Sequence, residues 1–202
     1  MAAAAVVTVG ATAHAGRIPL ERSLTDCGYR RLFTRDGISV YRHRKSKLIR
    51  IAAEGTFDVP PARVRKALLS YSRHRGTIAR VSESRVLSRG MSYLLVYQRL
   101  DLPVISDRDF TLLVRWGSDD GVLWTSFRTL NSRGPAPQRG AVRMKTHRGS
   151  WQLKPIRGGR GTRARYMVTM DLGGWMPSWM ARSGTSKEIP GLFRAITGLI
   201  GR

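Results

Sequence analysis

Alternating apolar and polar residues recur along most of the chain and predict a succession of β-strands. This period of two is typical of strands that have one buried face. The predicted strands cover residues 38–43, 47–57, 80–89, 92–100, 107–116, 121–130, 140–155 and 162–172. Turn signals such as DDG at 119–121 and RGG at 157–159 separate them. Because the connections are short, neighbouring strands are expected to run antiparallel.

Helical spacing of apolar residues occurs in two segments. The first helix is predicted from Pro60 to about Tyr71, with Asp58 as its N-cap. The second is predicted from Pro177, restarts at Pro190 and closes the chain. The apolar residues of the second helix fall on one stripe: Leu192, Phe193, Ile196, Leu199 and Ile200.

The order of these elements predicts an α+β fold, in which a curved antiparallel sheet wraps around a long C-terminal helix. A sheet that grips a helix incompletely leaves an internal hydrophobic cavity, and ligand sites favour such places. The length of 202 residues suits one domain with a sizeable core. We therefore expect a single domain over residues 16–202.

The charge balance adds a second candidate property. Lys and Arg outnumber Asp and Glu by 36 to 13, which gives a net charge of +23. Such a chain is drawn to anionic polymers and membrane surfaces. The basic residues are scattered and most are arginine, which reflects either a GC-rich coding sequence or selection for phosphate contacts. A hydrophobic fraction of 42% favours a globular domain over a disordered basic tail.

Residues 1–15, MAAAAVVTVGATAHA, resemble the apolar core and small-residue cleavage site of a secretory signal, although no Lys or Arg precedes the apolar run. We expect either a signal peptide, with Gly16 at the mature N-terminus, or a disordered leader. The expected localisation is accordingly periplasmic or secreted, and otherwise cytoplasmic. Cys27 is the only cysteine, so an intramolecular disulfide is excluded.

Several segments together resemble the START domains, the steroidogenic-acute-regulatory-protein-related lipid-transfer family, and especially its bacterial single-domain members. These segments are DGISVYRH (36–43), GTFDVPPARV (55–64), VYQRLDLPVISDRDF (96–110), GAVRMKTHRGSWQLKP (140–155) and DLGGWMPSWMARSGTSKEIPGLFRAI (171–196). The resemblance implies a helix-grip fold that encloses a tunnel for a lipid or sterol-like molecule. The family commonly has a Trp after the first helix, where this chain has YSRHRGTIARVSES.

Arg108 stands at the head of an apolar strand face that continues with Phe110. The resemblance places the arginine of this RDF motif near the cavity. A buried guanidinium must be paired, so two interpretations stay open. Arg108 either fixes a polar head group of a ligand or forms a structural salt bridge with Asp101, Asp107 or Glu83.

Aromatic residues supply the other candidate ligand contacts. Aromatic side chains on strands pack in the core or line a cavity, and both readings stay open here. The sequence WMPSWM, which contains Trp175 and Trp179, is typical of adaptable apolar contacts or of a bilayer interface, but also of ordinary helix-end packing. The predicted ligand-binding residues are Tyr97, Arg108, Phe110, Trp124, Trp151, Trp175 and Trp179.

Motifs for catalysis, metals and nucleotides are missing from the sequence. HExxH, G-x-S-x-G, G-x-x-x-x-G-K and G-x-G-x-x-G do not occur, and the lone cysteine offers no metal cluster. His147 could meet Asp171 across paired strands, although exposure on a strand surface is the expected state. We therefore predict no catalytic residue, no metal and no cofactor.

These observations favour a non-catalytic monomer that binds, and in one version transfers, a lipid, sterol-like or other hydrophobic small molecule. Contact with an anionic membrane is expected to be peripheral. One alternative is a cyclase or aromatase on the same fold, which would need an acid/base pair in the cavity. The other is a basic nucleic-acid-binding protein, which would need exposed stacking aromatics beside clustered arginines; no specific nucleic acid is expected.

Overall fold

A computed structural model describes residues 17–175 and 185–201, and within them ten strands and three α-helices form one α+β unit. The helices are α1 (Pro61–Leu68), α2 (Thr185–Lys187) and α3 (Ile189–Ile200). The strands are β1 (Tyr29–Arg35), β2 (Ile38–His43), β3 (Ile49–Phe57), β4 (Val81–Arg89), β5 (Tyr93–Leu100), β6 (Asp107–Asp119), β7 (Val122–Thr129), β8 (Ala141–Arg143), β9 (Thr146–Ile156) and β10 (Gly161–Asp171).

The strands form one curved antiparallel sheet in the order β1-β2-β3-β10-β9-β7-β6-β5-β4. Strand β8 lies off this path and pairs in parallel with the start of β6. The sheet remains open rather than closing into a barrel, and α3 lies against its inner face. The predicted helix-grip architecture is confirmed.

The core lies between the inner sheet face and the two longer helices. Phe193 of α3 stacks on Phe57 of β3 with ring centroids 5.4 Å apart, and it also meets Trp151 of β9 at 5.1 Å. Gly55 makes room for this helix, because a Cβ at that position would come within 3.1 Å of the Phe193 ring and 2.4 Å of Ile38. Helix α1 packs beside α3 through Val64, Ala67 and Leu68, all of them buried.

Three details in the N-terminal half differ from the pattern-based expectation. Strand β1 was not predicted, because most of its side chains are exposed and no alternation appears. Helix α1 ends at Leu68. Just beyond it, the Ser70 hydroxyl donates a hydrogen bond to the Ala67 carbonyl at 2.6 Å, and this local bond competes with continuation of the helix. Asp58 does not cap this helix; it pairs with Arg157 at 2.6 Å.

The predicted strand over residues 140–155 is divided in two. Met144 separates β8, which pairs with β6, from β9, which pairs with β7 and β10. The Met144 amide donates to the Asp109 carbonyl at 3.0 Å, and the Asn131 side chain donates to the Met144 carbonyl at 2.8 Å. The chain therefore changes neighbouring strands at this point and buries the Met144 side chain on the inner side.

Residues 17–28 run across the outer sheet face, and Arg165 of β10 holds them there. The Arg165 guanidinium, 1% exposed, donates to the carbonyls of Ile18, Pro19 and Arg22 at 3.1, 2.6 and 2.9 Å. It also pairs with Glu54 at 2.6 Å. The buried charge is thus satisfied by main-chain oxygens and one carboxylate, and the segment is fixed to the sheet.

No helix within the described ranges is long and apolar enough to cross a membrane. The predicted leader, residues 1–15, lies outside the described residues, as do residues 176–184, where the first part of the C-terminal helix was predicted.

Candidate functional site: an apolar cavity between sheet and helix

A cavity of about 440 Å³ lies between the inner sheet face, α1 and α3. This volume falls in the range of pockets that hold small organic ligands. Most of its lining is apolar, and the inward residues of β6 form one wall. The apolar lining includes Leu68, Leu100, Phe110, Leu112, Val114, Phe127, Met144, Trp151, Met170, Leu172, Leu192 and Ile196.

A short polar chain crosses one side of this cavity. The Gln98 amide nitrogen donates to Ser84 Oγ at 3.1 Å, and Ser84 Oγ donates to the Tyr71 carbonyl at 2.7 Å. The same amide nitrogen lies 3.4 Å from His74 Nδ1. With the amide donating there, the His74 proton is assigned to Nε2, which is buried without an acceptor. His74 is therefore a neutral donor whose Nε2 makes no well-aligned hydrogen bond, although the Ala67 carbonyl interacts with the ring.

His147 of β9 is the second histidine of the lining. Its ring packs edge-on against Phe110 and Phe127, with centroid distances of 4.5 and 5.2 Å. Its Nδ1 is inaccessible to solvent and has no hydrogen-bond partner. Burial lowers the pKa of His147 to about 4. Burial also lowers the pKa of His74 to about 4, with the Ala67 carbonyl acting in the opposite direction. Both imidazoles are neutral at physiological pH.

Tyr71 and Tyr166 bring two phenol groups to the same cavity. Burial raises the pKa of both far above the ordinary tyrosine range, and an ionised Tyr71 would raise that of Tyr166 further. The hydroxyls therefore stay protonated and can donate or accept a hydrogen bond. Among the described lining residues, the polar side chains deep in the cavity are thus uncharged at neutral pH.

The charged residues of the described lining lie where the cavity meets the surface. Arg80 and Glu188 are exposed and pair at 3.0 Å, joining the segment before β4 to the start of α3. Lys187 is exposed beside them. Two large apolar side chains lie on nearby segments: Val104 follows the lining residue Pro103 and is 79% exposed, and Trp175 is 75% exposed. This rim combines positive charge with exposed apolar surface.

Arg108 is not part of the lining. Its side chain is 1% exposed, and its guanidinium donates to the carbonyls of Leu172 (2.6 Å), Gly173 (2.9 Å) and Ser106. A longer contact of 3.5 Å reaches the carbonyl of Trp175. The acceptors are main-chain oxygens, whereas the sequence suggested Asp101, Asp107 or Glu83. Asp107 pairs with Arg99 and Glu83 with Arg85. Arg108 joins the segment before β6 to the segment after β10.

The other predicted ligand contacts divide between the two sheet faces. Phe110 and Trp151 line the cavity. Tyr97 lies on the outer face, where its hydroxyl donates to Asp109 at 3.2 Å and burial raises its pKa to about 12. Trp124 is also on the outer face, with the Arg17 guanidinium 4.3 Å above its ring. Trp175 is exposed at the rim.

Trp179 lies outside the described residues, so its predicted role stays a prediction. The polar lining, in contrast, was not anticipated. A neutral buried histidine leaves no mark in a single sequence, and His147 was expected on the surface. The sequence signal for Gln98, Tyr71 and Tyr166 was their position on the inward face of their elements, which alone does not show that they line a cavity.

The arrangement suits binding more readily than metal chemistry or acid/base catalysis. Within residues 17–175 and 185–201 no three His, Cys, Asp or Glu side chains stand close enough to hold a metal ion. The carboxylate of the described lining, Glu188, is engaged by Arg80 at the surface. A histidine that protonates only near pH 4 is a weak base at neutral pH.

Comparisons with known proteins agree with this geometry. The family model described as START domain matches residues 39–197. A STAR-related lipid transfer protein from Xanthomonas axonopodis has 22% identity and a TM-score of 0.78, over 87% of this chain and 99% of that one. Human StAR-related lipid transfer protein 5 has 16% identity and a TM-score of 0.76, with 86% of each chain covered.

A more distant structural neighbour is an enzyme. The Zhui aromatase/cyclase from Streptomyces sp. R1128 has 14% identity and a TM-score of 0.54, over 77% of this chain and 94% of that one. No curated protein sequence matches significantly. The START model spans most of the chain, and the curved sheet with its C-terminal helix is the architecture of these neighbours. The chain belongs to the START domain family.

Proposed function

We propose that the protein binds, without chemical conversion, a largely apolar small molecule whose polar end is uncharged, and that it carries this molecule in the inner cavity. A lipid or sterol-like alcohol or ketone has this chemistry. Burial of apolar ligand surface would supply the driving force, at roughly 25 cal/mol per Å² before the costs of association.

The neutrality of the polar lining is the observation that carries this proposal. His74, His147, Gln98 and the two tyrosines can exchange hydrogen bonds with a hydroxyl or carbonyl group. An anionic head group would enter a low-dielectric space without a counter-charge, which is costly. Arg108, the nearest buried cation on β6, is already engaged by main-chain carbonyls.

Non-catalytic binding is supported by two features of the cavity. Its histidines are neutral but too weakly basic to accept protons at pH 7, and its carboxylate lies at the surface in an ion pair. The lipid transfer proteins among the structural neighbours match more of the fold than the aromatase/cyclase does. A cyclase or aromatase activity is the competing function that the experiment below must separate.

We further propose that a monomer approaches anionic membranes through the rim, which carries Arg80 and Lys187 and whose adjoining segments, after Pro103 and after Leu172, expose Val104 and Trp175. Apolar insertion and electrostatic attraction act together at such a surface. Export to the periplasm or the exterior is also part of the proposal, and it predicts a mature N-terminus at Gly16. N-terminal sequencing of the protein from its own cell would find Met1 intact if export does not occur.

The test is displacement of a fluorescent apolar probe by matched ligand pairs that differ only in the polar end, such as a long-chain alcohol and the acid of equal length at pH 8. The alcohol is expected to bind at least tenfold more tightly, because the acid must be desolvated as a carboxylate. Val114→Phe narrows the cavity and should abolish displacement. Leu95→Phe adds a ring on the outer face of β5 and serves as the matched control.

Preferential binding of the acid would contradict the proposal, and so would equal binding by wild type and Val114→Phe. Mass spectrometry of the recovered ligand separates carrier from enzyme. A carrier returns the ligand with its mass unchanged, whereas a cyclase or aromatase returns a product that has lost water or hydrogen.

A further inference from the structure

A second concavity, of about 600 Å³, lies on the outer face of the sheet, opposite the inner cavity. The exposed strand surface forms its floor, and residues Arg17 and Tyr29 of the N-terminal part form its wall. Its side-chain chemistry is the opposite of that in the inner cavity. Besides Arg17, four arginines from four strands line it, namely Arg50 of β3, Arg115 of β6, Arg128 of β7 and Arg148 of β9, and no acidic residue in the described part of the chain does.

The strand register aligns three of these arginines in one row. Arg50 is opposite Thr169, Thr169 is opposite Arg148, and Arg148 is directly opposite Arg128. Neighbouring strands lie about 4.8 Å apart, so Arg148 and Arg128 are like charges in direct cross-strand contact range, an arrangement that destabilises a sheet. The molecule keeps this repulsion without a carboxylate between the two side chains.

Some of the hydrogen-bond donors in this concavity lack acceptors, although Arg17 donates to Asp119 at 3.1 Å. Arg50 Nε is buried without a hydrogen-bond partner, whereas the rest of the guanidinium hydrogen-bonds with the Tyr29 side chain and lies 5.9 Å from the centroid of its ring. Trp124 Nε1 is likewise buried and unsatisfied. Among the described residues, Arg115, Arg128 and Arg148 have no ion pair or hydrogen bond, although most acidic groups elsewhere in the molecule are paired. Ser126 and Ser150 add hydroxyl groups between the arginines.

We infer that this outer concavity is a binding site for a small soluble oligophosphate. Phosphate oxygens accept several charge-assisted hydrogen bonds, and planar guanidinium groups match them in geometry. A row of three arginines spanning four adjacent strands suits an anion with two or three linked phosphate groups. Bound phosphates would supply the acceptors and the negative charge that the protein omits, and they would convert the Arg148–Arg128 repulsion into shared attraction.

Two larger anions fit the site less well. Single-stranded nucleic acid needs exposed aromatic faces on which bases stack, but Tyr29 is 1% exposed and the Trp124 ring is covered by Arg17. An anionic membrane is flat, whereas these arginines lie in a recess beside the N-terminal segment. The exposed Val104 and Trp175, which suit a membrane, are on the segments that Arg108 joins and not in this concavity.

The test uses the full chain and inorganic tripolyphosphate in isothermal titration calorimetry at physiological salt. Wild type is expected to bind one tripolyphosphate per chain. The double variant Arg128→Gln/Arg148→Gln should bind about tenfold more weakly for each arginine removed. Arg63→Gln/Lys66→Gln lowers the net charge equally, on the exposed surface of α1 on the other side of the sheet, and should bind as wild type does.

The same variants give a second readout that a structural role would not produce. Without ligand, Arg128→Gln/Arg148→Gln should melt at or above the wild-type temperature because the like-charge contact is gone. A lower melting temperature would mean that the arginines support the fold and would overturn the inference. Equal weakening in both double variants, or the absence of saturable binding, would overturn it as well.

Two further probes identify the competing occupants. Single-stranded RNA, and vesicles containing anionic phospholipid, are titrated against wild type and the two double variants. Binding of RNA that requires Arg128 and Arg148, without any binding of tripolyphosphate, would assign the site to a nucleic-acid polymer. The same result with vesicles would assign it to a lipid head group. Either result would make the oligophosphate assignment wrong. Binding of the apolar ligand in the inner cavity should be unchanged in every one of these variants.

Discussion

Individual residues in this protein are distinguished by whether their polar atoms are satisfied. Arg108 and Arg165 are buried cations whose donors are taken up by main-chain carbonyls, and both act as structural anchors. His147 is buried with an unsatisfied nitrogen, and it lines the cavity. An unsatisfied buried polar group costs about 1–3 kcal/mol whatever its role, so its retention needs an explanation. We therefore expect the first pair to serve the fold and the histidine to serve the site.

The His147→Leu substitution should separate cost from function. At pH 7.5 the variant is expected to be at least as stable as wild type, because the unsatisfied nitrogen is removed. The wild-type histidine has a pKa of about 4 when folded, below its ordinary value of about 6.5, so its contribution to stability is complete above pH 6.5 and declines as the pH falls towards 4.

The decline amounts to about 2 kcal/mol between pH 7.5 and pH 5 for one such histidine. Urea unfolding at the two pH values measures it, and His147→Leu should lose less stability than wild type by this amount. An identical pH dependence in both proteins would show that His147 titrates normally in the folded state. The variant should also bind the alcohol ligand more weakly if the imidazole contacts its polar end.

Arg108→Met tests whether Arg108 anchors the segment after β10 to β6. The substitution leaves the carbonyls of Leu172 and Gly173 without donors, so we expect a loss of about 3 kcal/mol of unfolding free energy, with or without ligand. Arg108→Lys should recover little of it, because one ammonium group cannot reach carbonyls on both segments. A variant that melts as wild type does but no longer binds acidic ligands would instead make Arg108 a head-group residue.

At the scale of elements, alternation predicted most strands because each has one buried face. It missed β1, whose side chains are mostly exposed, and it merged β8 with β9, because a change of strand partner leaves no trace in the sequence. Alternation also separates Trp124 from Phe127 on β7, and they do lie on opposite faces. Alternation likewise places Phe110 and Trp151 on the inner face, where both line the cavity. The histidine positions depend on packing between distant segments, which no local pattern encodes.

Arg165→Met should release the N-terminal segment from the outer face. The change removes the donors that hold the carbonyls of Ile18 and Pro19 and leaves Glu54 partly buried without its closest partner. We expect a loss of about 3 kcal/mol and faster hydrogen exchange across residues 17–28. Arg163→Met is the matched control: Arg163 is more exposed and lies 3.6 Å from Glu54, so its loss should cost less than about 1 kcal/mol. Equal effects of the two changes would contradict the anchoring role.

At the scale of the whole molecule, the two faces of the one sheet differ in chemistry. The inner face and the helices enclose a largely apolar cavity, and the outer face carries a row of arginines within a chain of net charge +23; in that row Arg128 and Arg148 have no ion pair with any described residue. On the proposed function, we expect the charge to govern what approaches the surface and the neutral lining to govern what enters the cavity. For this reason the overall charge did not predict the ligand class.

The inner cavity is proposed to hold an uncharged, largely apolar molecule and to leave it chemically unchanged. Native mass spectrometry of the protein isolated from its own cell, followed by extraction and identification of the bound compound, tests this most directly. We predict one such molecule per chain, present in Leu95→Phe, absent from Val114→Phe, and recovered with the same mass after incubation. An anionic compound that is lost in Val114→Phe, or a compound converted to another mass, would contradict the account.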